Sequence, residues 1–598
     1  MNTVESTINM KNKTAQLFPL AVILLFFGFF FYYFFNLNRF HLLYLEQSQL
    51  FLFQDKYWAN LLSKPAGVSH YLAAFVTQFF VSPLVAALVV TAIGVTLFAL
   101  SYSLFSKFGF VAPIAALIWP LLHLAILNPV QNHIALSVGF MLSLLSVLLF
   151  FALKESRWQI WLAATGLPFL IFACGITGFL ATIIMTGHYL IQRKFFPALV
   201  IITVSTLTPL LLAKFYYLYP LKSVYAAPFQ FPVTTELLIA VIAGTLFFSI
   251  IIWASPFSSN YFSPTHPKRI IILNTIAFIT LISVVAGIVR FSYDPKTEQI
   301  LAIDHAAQEG NWSKVLTLSE KYPGNNRLVL YYTNMALYQT GQLGNRMFDF
   351  RQQGTQGLWL NWERDGVAPL FGAEIYYHLN YINEAYRWAF EAMMAKGPSP
   401  RLLKRLAVTS IITGDYQVAD KYLNILDQTL FYDDWAKEKR KLTHSPELAS
   451  NDVEIGQKRK MKIHHDFIAI ENTKDIGLIP LLQSQPNNRM AFEYLMASFL
   501  LNKDLEHFTE YIGRLKDFGY REIPRHYEEA LIAWMLTTKK EMTPEGYAIR
   551  QSTLDNFSRY YDLLKQNGRN PEKAKQMLAN PFGNTFWYYL NFSNSSKN

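Results

Sequence analysis

The sequence predicts an all-α protein made of a polytopic bundle of about nine transmembrane helices over residues 1–290 and a soluble helical repeat domain over residues 291–598. Hydrophobic residues make up 52% of the chain and charged residues only 16%, against roughly 25% charged residues in a typical soluble protein. Only five of the 41 acidic residues lie before residue 291. After about residue 295, long apolar runs give way to amphipathic segments separated by short turns.

The apolar runs give the number of spans, because a membrane-spanning helix needs about 20 mostly apolar residues. The first run is too long for a signal peptide and lacks a small-residue cleavage site, so we expect it to be retained. The fifth and sixth runs meet at Cys174-Gly175 and could also form one long tilted helix or a hairpin. The nine runs cover residues 17–35, 82–105, 109–127, 132–153, 158–174, 176–192, 196–213, 234–254 and 270–289.

The distribution of cations predicts the orientation in the membrane. With a cytoplasmic N-terminus, the short inner loops hold most of the Lys and Arg residues of the first half, including Arg193 and Lys194. Nine spans then place the C-terminal domain on the periplasmic side of a bacterial inner membrane. The cations form no cluster on a soluble face, so nucleic-acid binding is not expected.

The first outer loop, residues 37–80, is too apolar for an ordinary solvated loop and too polar to span, so we expect it to lie in the membrane interface. It contains the acids Glu46 and Asp55, with Gln49 three residues beyond Glu46. Acids near a membrane are costly and tend to be functional. Either acid is a candidate catalytic base, with Gln49 as a substrate contact. The alternative is that both acids simply face water.

Further polar residues at the predicted outer ends of spans are candidate substrate contacts. Asn132 and His133 begin the fourth span, Lys222 follows the seventh and Arg290 ends the ninth. Lys222 or Arg290 could hold a lipid phosphate, although helix capping and snorkelling to the interface are the ordinary explanations for such residues. No Cys or His spacing is typical of a metal site and no cofactor motif is present, so neither is expected.

The second half predicts helical hairpins of the tetratricopeptide (TPR) type. Similar turns occur at Gly310, Gly341, Asn380, Gly414 and Asn502, the first four separated by 31, 39 and 34 residues, near the 34-residue TPR period. Stacked hairpins of this kind usually bind a partner through a concave face. A basic run at residues 457–460 interrupts the pattern and is predicted to be a solvated face.

Three segments carry a resemblance to one family: LYLEQSQLFLF with KPAGVSHYLAAFVTQFF, PNNRMAFEYLMASFLLNKDLEHF, and FGNTFWYYL. The chain resembles a group of bacterial inner-membrane proteins of unknown function in which a membrane half precedes a helical-repeat half. Its layout is more weakly similar to the GT-C glycosyltransferases, which use lipid-linked sugars and often carry an acid after the first span. Glu46 or Asp55 would take that place, but the loop lacks an Asp-x-Asp or Glu-x-Asp motif.

The GT-C resemblance implies a membrane glycosyltransferase that takes a polyprenyl-phosphate-linked sugar at the outer face of the membrane. The phosphate would lie near Lys222 or Arg290, Glu46 would act on the acceptor, and the repeat domain would hold a glycan acceptor or an envelope protein. The alternative function is a non-enzymatic membrane scaffold whose repeat domain recruits envelope proteins. Membrane lipids are expected partners in both cases.

Overall fold

A computed structural model describes residues 18–107, 113–129, 134–153, 156–229, 235–258, 267–362, 367–461, 463, 476–567 and 570–593. Regular structure in these ranges is helical, apart from one isolated bridge between Gln353 and Thr355. The chain divides into two compact units. The membrane unit comprises Met1–Asp294 with Gln428–Phe431, and the helical unit comprises Pro295–Asp427 with Tyr432–Asn598.

The described part of the membrane unit contains thirteen α-helices. Their bounds are α1 Phe18–Leu37, α2 Arg39–Gln47, α3 Asp55–Leu62, α4 Gly67–Thr77, α5 Pro83–Lys107, α6 Ile118–Leu127, α7 Ile134–Ala152, α8 Ser156–Cys174, α9 Phe179–Ile191, α10 Phe195–Phe215, α11 Leu221–Ala226, α12 Thr235–Ser258 and α13 Pro267–Ser292. The last turn of α1, from Tyr33 to Leu37, is a π-helix.

Seven helical segments in the described residues are long and apolar enough to cross a membrane, so the chain is a membrane protein. They are α1, α5, α7, Arg157–Ile191, α10, Leu237–Ala254 in α12 and Thr275–Ser292 in α13. The predicted number of nine is therefore not confirmed. The two numbers differ at the third predicted span and at the pair of runs around Cys174.

The third predicted span, 109–127, is represented by a short apolar helix at Ala115–Leu127, while residues 109–112 lie outside the described ones. Thirteen residues extend only about 20 Å, short of the roughly 30 Å of a bilayer core. Most of its side chains are buried inside the bundle. Trp119 lies 4.4 Å from the Phe140 ring and 5.4 Å from the Phe248 ring, centroid to centroid.

The fifth and sixth predicted spans form one helical stretch, broken by a 3₁₀ turn at Gly175–Gly178. The break is set by Gly175, whose φ of +60° is a left-handed conformation that favours glycine. A Cβ at Gly175 would lie 2.1 Å from the Ala227 carbonyl oxygen. That oxygen accepts a hydrogen bond from the Ile176 amide at 2.7 Å. The turn therefore ties the broken helix to the segment that follows α11.

The segment that the sequence predicts as the first outer loop folds into the three short helices α2, α3 and α4, none of which is long enough to span a membrane. Their aromatic side chains pack on one another around Phe51. Its ring centroid lies 4.9 Å from that of Phe53, 5.6 Å from Tyr57 and 5.0 Å from Tyr71. Trp58 packs edge-on against Tyr71 at 4.6 Å. The loop is thus an ordered, largely aromatic layer.

The described part of the helical unit contains a further eighteen α-helices. Their bounds are α14 Pro295–Gln308, α15 Trp312–Glu320, α16 Arg327–Gln339, α17 Leu343–Arg346, α18 Val367–His378, α19 Ile382–Lys396, α20 Pro400–Thr413, α21 Tyr416–Leu426, α22 Asp433–His444, α23 Pro446–Asn451, α24 Val453–Lys460, α25 Leu478–Ser484, α26 Arg489–Asn502, α27 Leu505–Tyr511, α28 Arg525–Thr538, α29 Gln551–Asn567, α30 Pro571–Phe582 and α31 Phe586–Phe592.

Five consecutive-helix hairpins are present where the sequence predicts turns: α14/α15, α16/α17, α18/α19, α20/α21 and α26/α27. Each turn contains one residue with a left-handed φ, at Gly310, Gly341, Asn380, Gly414 and Lys503. This conformation ends a helix by capping its last carbonyls. The structure contains these hairpins, whereas their assignment to the TPR type stays a prediction.

The basic run at 457–460 is only in part a solvated face: Gln457 and Lys460 are exposed, whereas Lys458 and Arg459 are half-buried, contrary to the prediction. It forms the end of α24, which lies across the C-terminal ends of two hairpin helices. Lys458 Nζ donates to the Tyr377 carbonyl at 2.6 Å, and Arg459 Nη2 donates to the Ile411 carbonyl at 2.6 Å and the Tyr416 hydroxyl at 2.7 Å. Cations are favoured at helix C-termini, where carbonyl groups lack helical partners.

Candidate functional site

Three membrane-unit helices end at one buried polar cluster. Asn128, directly after α6, lies at its centre. Its side-chain oxygen accepts hydrogen bonds from the Tyr33 hydroxyl at 2.9 Å and from Asn38 Nδ2 at 3.3 Å, and its Nδ2 donates to Ser292 Oγ at 3.1 Å. The Tyr293 hydroxyl donates to the Leu37 carbonyl at 3.0 Å. The ends of α1, α6 and α13 are therefore held together by hydrogen bonds.

This cluster also fixes the start of α2, the helix that carries Glu46. Asn38 immediately precedes α2, and His41 in its first turn is hydrogen-bonded to the backbone of Pro129. Burial lowers the pKa of His41 to about 4, and the contact with Pro129 offsets that effect only in part. His41 is therefore neutral at physiological pH, and it joins α2 to the turn after α6.

Glu46 is buried at the end of α2, with only 4% of its surface exposed. Its Oε2 accepts a hydrogen bond from Gln47 Nε2 at 2.5 Å. Gln49 is half-buried in the turn beyond α2, where its backbone amide donates to the Glu46 carbonyl at 3.4 Å. Burial of a carboxylate is costly without hydrogen bonds. Glu46 and Gln49 therefore lie close together, with Glu46 shielded from bulk water and Gln49 partly shielded.

Asp55 has a different environment. It is exposed and begins α3, where an acidic side chain interacts favourably with the helix dipole. Its position is explained by that local role. Of the two predicted acids, Glu46 is the one shielded from bulk water.

An apolar groove of about 610 Å³ runs between α1 and α13. Val22, Phe26 and Phe29 line it from α1, and Leu281 and Val285 line it from α13. Among the described residues that line it, Arg290 alone carries a charge.

Arg290 is exposed, lies in the last turn of α13 and is two residues from Ser292 in the polar cluster. The groove thus joins an apolar surface to a single cation. This is the arrangement that suits the tail and the phosphate of an anionic lipid. A cation in the last turn also complements the helix dipole, so its position has a structural benefit as well.

Of the remaining predicted contacts the structure describes Lys222, which does not line this groove. Lys222 is exposed on α11, which packs on α10 and on the Gly175–Gly178 turn. Asn132 and His133 lie outside the described residues, although the flanking Asn128 belongs to the polar cluster.

Sequence reasoning did not single out Arg39, the first residue of α2. Its guanidinium lies 4.6 Å from the Phe40 ring centroid, and its Nε is buried without a hydrogen-bond partner among the described residues. Tyr33, Asn38 and Asn128 were also missed. A usable signal existed, because the polar stretch Asn36–Arg39 directly follows a span of Phe and Tyr residues.

Comparisons with known proteins place the whole chain in one family. No curated protein and no solved structure matches the chain. A family model described as a family of unknown function, DUF6057, matches residues 13–593, which covers both the membrane unit and the helical unit. The chain therefore belongs to the family of unknown function DUF6057.

Proposed function

We propose that the chain is a GT-C-like glycosyltransferase that uses a polyprenyl-phosphate-linked sugar at the outer face of a bacterial inner membrane. The observation that carries the proposal is the apolar groove that ends at Arg290. The groove would hold the polyprenyl chain, and Arg290 would bind the phosphate. A guanidinium is suited to this task because it donates several hydrogen bonds to phosphate oxygens.

The buried acid lies within reach of the same end of the bundle. Arg290 is two residues before Ser292, which is linked through Asn128 to Asn38 at the start of α2. Glu46 follows Asn38 by eight residues, about 12 Å along a helix at 1.5 Å per residue. A sugar attached to a phosphate at Arg290 could therefore extend toward Glu46.

The proposed reaction transfers the sugar to an acceptor hydroxyl. The hydroxyl oxygen attacks the anomeric carbon, the bond between that carbon and the phosphate oxygen breaks, and the polyprenyl phosphate leaves with the electron pair. Glu46 takes the proton of the acceptor hydroxyl as a general base. Arg290 stabilises the charge on the leaving phosphate. Gln49 would orient the acceptor beside Glu46, and the helical unit would hold the rest of the acceptor.

The test compares substitutions of the two acids. Membrane vesicles that contain each variant are supplied with radiolabelled undecaprenyl-phosphate hexoses and an envelope-glycan extract. We expect Glu46→Gln to slow transfer of label by about 10²- to 10⁴-fold, as for loss of a general base. We expect Asp55→Asn to change the rate less than about threefold, because Asp55 is exposed at the start of α3. Glu46→Gln with wild-type transfer and normal insertion would contradict the proposal.

A second pair of variants tests the phosphate site. Arg290→Gln should raise the lipid concentration needed for half-maximal transfer by about tenfold, the effect of losing one charge-assisted contact of about 1.4 kcal/mol. Lys222→Gln is the matched control, because Lys222 does not line the groove. Equal effects of the two substitutions would contradict the assignment of the phosphate to Arg290.

A scaffold function without catalysis is the alternative, and one feature of the helical unit favours it. Phe390 and Met394 lie one turn apart on α19 and are 38% and 70% exposed. Neighbouring exposed apolar side chains are typical of a protein-binding surface. Under this alternative, Met394→Glu would abolish co-purification of an envelope protein, and Glu46→Gln would leave envelope glycans unchanged.

A further inference from the structure

The C-terminal part of the helical unit contains a polar pocket of about 330 Å³. Two arginines, Arg525 and Arg550, line it together with Asn345, Ser552 and Asn556. The volume is at the lower end of the roughly 300–1,000 Å³ that is typical of small-molecule sites. The pocket is therefore large enough for a ligand the size of one sugar ring and too small for a polymer.

Two adjacent buried glutamates hold these arginines in place. Glu528 is completely buried, and both of its oxygens accept from Arg550 Nε, at 3.1 and 3.0 Å. Glu529 is 2% exposed and accepts from Arg525 Nε at 2.9 Å. Both arginines are thus bound through Nε, the inner nitrogen of the guanidinium. A side chain anchored in this way loses less conformational entropy when it binds a ligand.

The oxygens of both glutamates are occupied by protein donors. Glu528 also accepts from the Thr553 hydroxyl, at 2.5 Å. Glu529 Oε2 accepts from the Phe586 amide at 2.7 Å and from His526 Nδ1 at 3.0 Å. Their hydrogen-bonding capacity is therefore used inside the protein. The carboxylates position the arginines and are poorly suited to bind a ligand themselves.

The outer nitrogens of the arginines keep donor capacity. Arg525 Nη2 donates to Asn584 at 3.2 Å, and among the described residues its Nη1 has no partner. Arg550 Nη2 makes a long bond of 3.4 Å to the Ile523 carbonyl, and its Nη1 lies 3.7 Å from Glu522, which is 70% exposed. A guanidinium carries five N–H donors. Most donors at the two outer ends are therefore available to a ligand.

From this arrangement we propose that the pocket binds a small anionic ligand, whose carboxylate or phosphate group accepts hydrogen bonds from Arg525 and Arg550. Planar guanidinium groups match the geometry of both oxyanions. The Asn345 side-chain oxygen accepts from the Arg525 amide at 2.8 Å, which leaves its NH₂ group as a further donor. Ser552 and Asn556 suit ligand hydroxyls, so a sugar phosphate or sugar acid fits the pocket. The site does not depend on the chemistry proposed for the membrane unit.

The test uses the full chain in detergent micelles and isothermal titration calorimetry at constant ionic strength. The probes are glucose 6-phosphate, glucuronate, inorganic phosphate and, as the neutral control, glucose. Each is used up to about 10 mM, which fills even a site of millimolar affinity. We expect the sugar anions to bind and glucose not to bind. Binding of inorganic phosphate alone would show an adventitious ion only and would overturn the proposal, as would equal binding of glucose.

Two matched variants locate the site. Ser552→Asp adds a negative charge to the pocket, and Gln551→Asp adds the same charge to a neighbouring exposed residue that does not line it. Both substitutions place an acid in the first turn of α29, where the helix dipole favours it. Gln551→Asp also removes the hydrogen bond from Gln551 to Asp555, so circular dichroism of both variants checks that folding is kept. We expect Ser552→Asp to weaken binding at least tenfold and Gln551→Asp to weaken it less than about threefold. Equal affinities for the two variants would contradict the assignment.

Discussion

Asp304 and Arg401 form a buried ion pair that joins α14 to α20. Arg401 Nη1 donates to both Asp304 oxygens at 3.0 and 2.9 Å, Arg401 Nη2 donates to the Tyr332 hydroxyl at 3.1 Å, and Tyr332 in turn donates to Asp304. Burial by itself would lower the pKa of Arg401, but Asp304 and Tyr332 raise it above its usual value. The guanidinium is therefore charged inside the protein.

Removal of one partner of this pair should destabilise the helical unit. We expect Asp304→Asn to lower the free energy of unfolding by about 3 kcal/mol, because it leaves Arg401 buried without its counter-charge. The measurement is urea unfolding of the full chain in detergent, followed by circular dichroism. Lys437→Ala is the control, since Lys437 and its partner Asp433 lie at the surface, and it should cause no measurable change. Equal midpoints for the two variants would contradict the prediction.

Lys458 should make stability depend on pH in the alkaline range. Burial, followed by the nearby charge of Arg405, lowers the pKa of Lys458 from 10.5 to about 8. Between these values the unfolded chain binds more protons than the folded chain, so stability rises with pH. We expect the free energy of unfolding to increase from about pH 8 to about pH 10 relative to Lys458→Met. Parallel pH profiles for the two proteins would rule out this contribution.

At the scale of the element, Gly175 sets the break between α8 and α9. Gly175→Ala places a Cβ 2.1 Å from the Ala227 carbonyl oxygen and forces a left-handed φ on alanine. We expect a loss of about 2 kcal/mol or more, measured as a lower midpoint in thermal unfolding of the detergent-purified protein. Gly287→Ala is the matched control in α13, where a Cβ meets no atom within 4 Å. A similar midpoint for both variants would mean that the turn tolerates a side chain.

The hairpin turns show what the sequence predicts well. Gly310, Gly341, Asn380 and Gly414 lie between amphipathic runs, and local chemistry alone sets their left-handed conformation. The basic run at 457–460 could not be placed in this way. Its partners are the Tyr377 and Ile411 carbonyls, 81 and 48 residues away. A local charge pattern does not reveal which distant helix end it meets.

In the candidate site, too, the sequence predicts what depends on neighbouring residues and does not predict contacts between distant segments. Glu46 was predictable because an acid is rare in an apolar segment, whereas its burial depends on the packing of α2. The polar cluster joins Asn128 to Tyr33 and to Ser292, at separations of 95 and 164 residues. No single segment contains that pattern. The catalytic and phosphate-binding roles of these residues stay predictions.

At the scale of the whole molecule, the number of crossings decides which side the helical unit occupies. Hydropathy measures the length of an apolar run, so it counts the two runs that meet at the Gly175–Gly178 turn as separate spans and counts the short buried α6 as a span. These two differences reduce nine predicted spans to seven candidates. An odd number of crossings, such as the predicted nine, places the two ends of the chain on opposite sides of the membrane. The cation-rich inner loops favour a cytoplasmic N-terminus and hence a periplasmic helical unit.

Single-cysteine labelling tests this orientation, because the chain contains one cysteine, the buried Cys174. In a Cys174→Ala background, Glu309→Cys reports on the helical unit and Gln192→Cys reports on the loop with Arg193 and Lys194. Both sites are exposed, and Gln192→Cys keeps the two cations that favour the cytoplasm. With the outer membrane made permeable, we expect an impermeant maleimide to label Glu309→Cys in intact cells and Gln192→Cys only after lysis. The opposite pattern would put Glu46 and Arg290 on the cytoplasmic side, where the proposed outer-face transfer cannot occur.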